Sequence, residues 1–348
     1  MKKMILSLLV LGMANTLLAQ NDEKQAPFQV KPLTGETVKD IEVETSGGNI
    51  SVENIAGQQS RVEVYIWPSN RNKNANVSKE EIQKRLDEYY DLKIGVVNNK
   101  LSAIAKSKSG RWDSKTALSI SFKIYVPGNV STDLTTSGGN IRLTDLSGSQ
   151  KITTSGGNLV INKVKGKLKG ITSGGNIDVA DSHDNIELVT SGGNVDAKNC
   201  TGDLKLVTSG GNIDLHDLNG NIEATTSGGD VDANEIGGDL EAHTSGGNID
   251  LLNLSCNVTT ATSGGNIKVV MKDPKSFVKI HNSAGSISLQ LPSGKGYDLD
   301  LNADKIKTDN LANFSGKTTD DEINGKLNGG GTKVTLDAGS GRINLTLK

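Results

Sequence analysis

Asp178, Asp196, Asp214, Asp232 and Asp250 follow one another at a constant interval of 18 residues. Carboxylates in a regular series suit acid–base work or oxygen ligation of a hard cation such as calcium. If each interval is one structural repeat, the five stand in a row about 4.8 Å apart. Like charges that close repel by under about 1 kcal/mol per pair in water and by about a few kcal/mol at the lower effective dielectric of a protein surface. Lys198 and Lys205 are the only Lys or Arg against 15 acids over residues 173–254. The row therefore reads in two ways: as a loose, millimolar divalent-cation site, or as a solvated face that resists aggregation.

Other chemistry is scarce. His183, His216, His243 and His281 fall at different positions of the repeat, and no nucleophile elbow, phosphate loop or metal-spaced His and Cys set occurs. The calcium-binding Gly-Gly-x-Gly-x-Asp roll does not fit, because the position that should be the third glycine is apolar. Cys200 and Cys256 are three repeats apart, about 14 Å along the stack, too far for a disulfide. The expectation is no catalytic residue and no cofactor beyond a weak divalent cation.

A second candidate is basic and aromatic. Residues 69–115 hold 11 bases against six acids, and seven of the 11 aromatic residues belong to or flank that segment. Tyr89, Tyr90, Arg111 and Trp112 are the candidate binding residues for a protein or glycan partner; the alternative is a small satellite core beneath a helix. Nucleic acid is not an expected partner, since the acidic repeats would repel phosphate.

The elements that must position these groups are written in one pentapeptide. Ser-Gly-Gly-Asn or Ser-Gly-Gly-Asp, followed by Ile, Val or Leu, begins at Ser137, Ser155, Ser173, Ser191, Ser209, Ser227, Ser245 and Ser263. A fixed short period is the mark of a solenoid in which each repeat stacks on the last. With the serine as slot 1, slots 5 and 7 are apolar, as are slots 14 and 16 in Ile186 with Leu188 and Leu204 with Leu206. Two inward-facing strands per repeat are expected. Glycines at slots 2 and 3 are expected at positive φ, with a looser corner at slot 12. Asn140, Asn158, Asn176, Asn194, Asn212, Asn248 and Asn266 at slot 4 should form a structural amide ladder broken once, by Asp230. Threonine holds slot 18 throughout, from Thr136 to Thr262. The fold class is thus all-β, a parallel β-solenoid of 18-residue coils with a small α/β insertion near its N-terminal end.

Residues 1–19 read as a cleaved secretory signal peptide, and no second apolar run is long enough to span a bilayer. The destination is periplasm, cell surface or medium. Residues 20–68 supply the first strands and an early repeat at Thr45 to Ile50. The α/β insertion occupies 69–115: Ser78 with Glu81 opens a helix over 78–91, and Asn98-Asn99 joins a hairpin. Its deletion is expected to leave the remainder folded. The regular array fills 116–282, and 283–348 form irregular terminal coils and a cap, with two strands around Ala338 to Gly341.

With those features in place, the chain resembles the bacterial putative-adhesin family of β-strand-repeat proteins, a domain of unknown function. The resemblance is carried by Ile41 to Ile55, Ile124-Tyr125-Val126-Pro127, the Ser-Gly-Gly-Asn repeats, and Gly329-Gly330-Gly331 followed by Gly339 and Ile343. It implies a β-solenoid and supplies no catalytic or binding residues. The expected function is a non-enzymatic surface or envelope scaffold presenting the inserted element to a protein or glycan of the cell envelope. The alternatives are a polysaccharide-active β-helix enzyme and a self-assembling filament subunit.

Overall fold

The computed structural model describes residues 26–69, 77–108 and 116–348. The expected leader over 1–19 and the candidates Arg111 and Trp112 lie outside the described residues. Within them the chain is all-β apart from one short helix, α1 (Lys79–Tyr89). No helix among the described residues is long and apolar enough to cross a membrane.

Strand pairing follows the sequence period. Leu159 lies between Ile141 and Ile177 in parallel register, and the series continues through Val195, Ile213, Val231, Ile249 and Ile267, an offset of 18 residues at each step. A second parallel column runs through Leu168, Ile186, Leu204, Ile222, Leu240 and Val258. Their side chains are buried in one core, so like residues pack on like along its length.

Slot 10 is also internal, with Leu146, Val164, Ser182, Cys200, Leu218, Ile236 and Leu254 buried. The cause is at slot 9, where Asp145, Lys163, Asp181, Asn199, Asp217, Glu235 and Asn253 all adopt left-handed φ between 51° and 60°. One residue in that conformation turns the chain sharply, so the next side chain points inward. Asn and Asp accept it most readily, and the stacked ladder imposes it on Lys163 and Glu235.

The glycines of Ser-Gly-Gly-Asn depart from expectation: none has left-handed φ. Slot 3 requires glycine because repeats approach closely there. From Gly139 to Gly265, a Cβ would lie 1.9 to 2.1 Å from the slot 3 carbonyl oxygen of the preceding repeat. Left-handed glycines occur instead at slot 12, from Gly148 to Gly238 with φ between 90° and 138°, and Asp184 takes their place at 85°.

Two polar ladders flank that contact. Thr190 Oγ1 donates to the Gly175 carbonyl at 2.8 Å and accepts the Gly193 N–H at 3.3 Å, and the pattern recurs from Thr154 to Thr262. At slot 4 the bond runs from backbone to side chain: Asn158 N–H donates to Asn140 Oδ1 at 2.8 Å, and Asn176 N–H to Asn158 Oδ1 at 2.9 Å. Asp230 therefore does not break this ladder. Its carboxylate accepts the Asn248 N–H at 2.7 Å, because the position needs only an acceptor oxygen.

The early repeat joins the array directly. Asp40–Thr45 pairs with Ser131–Thr136, and Ile50–Asn54 with Ile141–Thr153, an offset of 91 residues. On its outer side Asp40–Thr45 pairs with Lys100–Ser107, whose antiparallel partner is Tyr90–Val97. That hairpin turns at Asn98 and Asn99, both left-handed, and α1 starts where Ser78 Oγ accepts the Glu81 N–H at 3.3 Å and buries Ile82 and Leu86. Strands Tyr90–Val97 and Lys100–Ser107 are thus built into the end of the sheet, and deleting them would remove a strand partner of Asp40–Thr45. At the other end Thr332–Leu347 is one strand of 16 residues, where two were expected. It is inserted between Phe277–Asn282 and Ile287–Leu291 on one side and Tyr297–Thr308 on the other. Antiparallel strands Glu322–Leu327 and Phe314–Thr318 complete that end.

Candidate functional site

The five aspartates are in register on one outward face. Asp178 pairs with Asp196, Asp196 with Asp214, Asp214 with Asp232, and Asp232 with Asp250. Val160 and then Arg142 extend the column one way, and Lys268 ends it the other. Lys198 and His216 flank it two residues along their strands. Arg142, Lys198, His216 and the first three aspartates line an open groove of about 490 Å³.

Desolvation in this crowded row pushes the carboxyl groups of Asp178, Asp196, Asp214 and Asp232 above the ordinary aspartate range. Neighbouring carboxylates add to the rise for the last three. A hydrogen bond with Asp196 and the Arg142 charge oppose it at Asp178. A linear row gives each oxygen neighbours only above and below. Among the described residues, no group of three His, Cys, Asp or Glu side chains is placed to hold a metal ion. The arrangement can share protons between adjacent carboxyls; it does not form a closed chelate.

On the face formed by slots 13 and 15, several acids meet a basic or amide partner, although Glu223 stands beside Glu241. Lys151 pairs with Asp133 at 3.1 Å, Lys169 with Glu187 at 2.7 Å, and Lys205 with Glu223 at 2.5 Å. Asn221 and Asn257 each donate to an aspartate, Asp203 and Asp239, at 2.7 Å. The groove on this face has a volume of about 480 Å³. Neither groove is lined by Phe, Tyr or Trp among the described residues.

Tyr89 and Tyr90 meet at the end of α1, both half-buried. Tyr90 packs on the core and its hydroxyl accepts the Leu118 N–H at 2.8 Å, while the Tyr89 carbonyl accepts the Lys108 N–H at 2.9 Å. A network that sequence inspection missed lies at the far end of the paired strands Arg61–Pro68 and Leu118–Val126. The Arg61 guanidinium stacks 3.8 Å from the Tyr125 ring centroid; Glu63 accepts from Arg61 Nε at 2.7 Å and from the Tyr65 hydroxyl at 2.8 Å. Burial, with the Glu63 carboxylate, holds the Tyr65 hydroxyl protonated well above its usual range. Its signal was the alternation of Arg61, Glu63 and Tyr65 on one strand face. Cys200 and Cys256 are buried free thiols; burial pushes Cys200 up and Cys256 up to about 12, so both are poor nucleophiles.

No curated protein matches the chain. Among solved structures, a "putative cell adhesion protein" from Clostridium sporogenes is 11% identical, covering 92% of this chain and 98% of its own, with a TM-score of 0.18. A "putative adhesin" from Bacteroides fragilis is 12% identical over 92% and 96%, with a TM-score of 0.25. A "putative lipid binding protein" from Parabacteroides distasonis is 14% identical over 92% and 97%, with a TM-score of 0.30. Likeness at that level transfers no ligand and no activity. Residues 180–346 match the family model described as Toastrack DUF4097, a domain of unknown function.

Proposed function

We propose that the protein is an exported, non-enzymatic β-solenoid of 18-residue coils, an adhesin-like scaffold that holds extended charged faces and a basic tip toward a protein or glycan of the cell envelope. The observation that carries this reading is the continuity of the slot 4 ladder, from Asn140 N–H on Asn49 Oδ1 to Ser286 N–H on Asn266 Oδ1. Such a ladder favours a stiff body with regularly spaced surface groups. The dispersed histidines and the lack of aromatic side chains in either groove weigh against a polysaccharide-active enzyme. A filament subunit is disfavoured because the end strands carry edge-blocking features: Pro32 and Lys31 on the first strand, and Lys31 Nζ donating to the Ile94 carbonyl of the outermost hairpin strand.

The test uses the purified chain in two assays: retention on cell-envelope fractions, and release of reducing ends from a polysaccharide panel. Retention without reducing-end release is expected. Reducing-end release that disappears in Asp196→Asn would establish an enzyme instead.

A further inference from the structure

One repeat is unlike the others. Between residues 155 and 172 the outward slots 9, 11, 13 and 15 are all lysine: Lys163, Lys165, Lys167 and Lys169. At slot 9 no other repeat carries a base, and at slots 11 and 13 the others carry small, polar or acidic residues, His183 or, in the last repeat, Lys275, which is paired with Asp273. Lys163, Lys165 and Lys167 are exposed and Lys169 is half-buried. Lys165 stands between Ser147 and His183, and Lys167 between Ser149 and Asn185, so neither has an acid opposite it. Lys169 is paired with Glu187. Lys163, at the bend, has Asp145 and Asp181 at the equivalent positions of its neighbours, and each of those carboxylates already accepts from an asparagine, Asn54 and Asn199.

We propose that this line of lysines docks a single extended polyanion, a chain of acidic polysaccharide lying along the strand and so across the stack. The inference rests on the scaffold reading and names the chemistry of its partner, at a surface separate from the inserted segment. Alternate residues of a strand recur on one face about every 6.6 Å, so Lys167 and Lys169 stand in line and Lys165 precedes them across the bend at Gly166, whose φ is 107°, a short run of ammonium groups that a flexible chain of carboxylates can follow. At slots 11 and 13 the row is one strand wide; at slot 15 Lys151 stands beside Lys169 and is paired with Asp133. On its C-terminal side the same face carries Glu187, Asp203 and Glu223, which would repel an anionic bilayer pressed flat against it or a duplex nucleic acid wide enough to cover several repeats. A single chain touches Lys163, Lys165 and Lys167, none of which is ion-paired with Glu187, and stays clear of Asp203 and Glu223 in the later repeats. Ser149 and Asn185, in register on either side of Lys167, offer hydrogen bonds to sugar hydroxyls.

The experiment measures binding of polygalacturonate oligomers to the full chain, by calorimetry at low and physiological salt, beside neutral dextran and phosphatidylglycerol vesicles. The variant Lys163→Asn, Lys165→Ser, Lys167→Asn takes residues that other repeats carry at these positions, which protects its fold; an unchanged melting temperature verifies it. A second variant, Asn185→Lys with Asp203→Lys, widens the line. The parent should bind polygalacturonate with affinity that falls as salt rises; the first variant should lose at least tenfold and the second should gain. The proposal is overturned if the parent ignores polygalacturonate, if the first variant binds as the parent does, or if only the vesicles are bound. A parent that is retained on envelope fractions yet ignores polygalacturonate overturns the lysine line and leaves the scaffold reading standing.

Discussion

The carbonyl oxygen of Gly175 occupies the space that a side chain on Gly193 would need: a Cβ there would lie 2.1 Å away. Gly192, one residue earlier, is exposed, and its nearest neighbour to such a Cβ is the Ser173 oxygen at 3.6 Å. The two adjacent glycines are therefore not equivalent. Gly193→Ala should destabilise by about 3 kcal/mol or more, because backbone must move, whereas Gly192→Ala should stay within about 0.5 kcal/mol. Urea unfolding of the pair decides it, and equal losses would contradict the close approach.

Thr190 holds that contact together, since its buried hydroxyl serves two backbone groups in successive repeats. Thr190→Val keeps the shape and leaves both groups without that partner, at a cost of about 1–3 kcal/mol for each one left unsatisfied. Thr190→Ser keeps the hydroxyl and should lose much less. Similar melting temperatures for the two variants would show that packing, not hydrogen bonding, fixes slot 18.

Cooperativity between repeats is tested at Ile213, which is fully buried between Val195 and Val231. Ile213→Asp places an unpaired charge in the core and should cost several kcal/mol. Neighbouring repeats should lose hydrogen-exchange protection together, because a single repeat buries too little to stand alone. Loss confined to residues 209–226 would contradict that coupling.

The aspartate row has an unusual pH signature. A carboxyl whose folded pKa is raised binds more protons folded than unfolded, so its contribution to stability falls as pH rises. The penalty is full above the raised folded values of Asp178, Asp196, Asp214 and Asp232 and is relieved as pH falls toward the unfolded value, about 3.9. Mild acidification from pH 7 should therefore raise the melting temperature, before acid-sensitive pairs such as Asp273 with Lys275 and Lys295, where the carboxyl is held at about 2, are lost. A variant with Asn at slot 6 of all five repeats should be more stable at pH 7 and lack the rise. A rise retained by that variant would assign it to other groups. Calcium added to the parent distinguishes the cation reading: stabilisation lost in the Asn variant would make the row a cation site.

Strand alternation, the 18-residue period, the Ser78 cap and the Asn98-Asn99 hairpin were legible because each is a local pattern. The pairing of Thr45 with Thr136 and the insertion of Thr332–Leu347 beside Phe277–Asn282 were not. Both depend on which distant edge is open to receive a strand, and nothing within either segment records that. The bend at slot 9 could have been found, since a column of Asp, Asn, Lys and Glu precedes mostly apolar residues at slot 10. The slot 3 glycine misled because two causes, left-handed φ and close approach, select the same residue. In the aspartate row, position was legible, whereas the desolvation that raises its pKa values became evident only from the neighbours above and below.

The positions of every charged face and ladder depend on a straight stack with one repeat per strand step. Spin labels on cysteines placed at Ser149 with Asp203 and at Ser149 with Asp239, all exposed at slot 13, measure it directly by pulsed electron–electron distance spectroscopy. Cys200 and Cys256, buried, should remain unlabelled. The expected backbone separations are about 14 Å for three repeats and about 24 Å for five, with narrow distributions for both pairs. Separations that fail to grow by about 10 Å between the two pairs, or broad distributions in both, would contradict the stack.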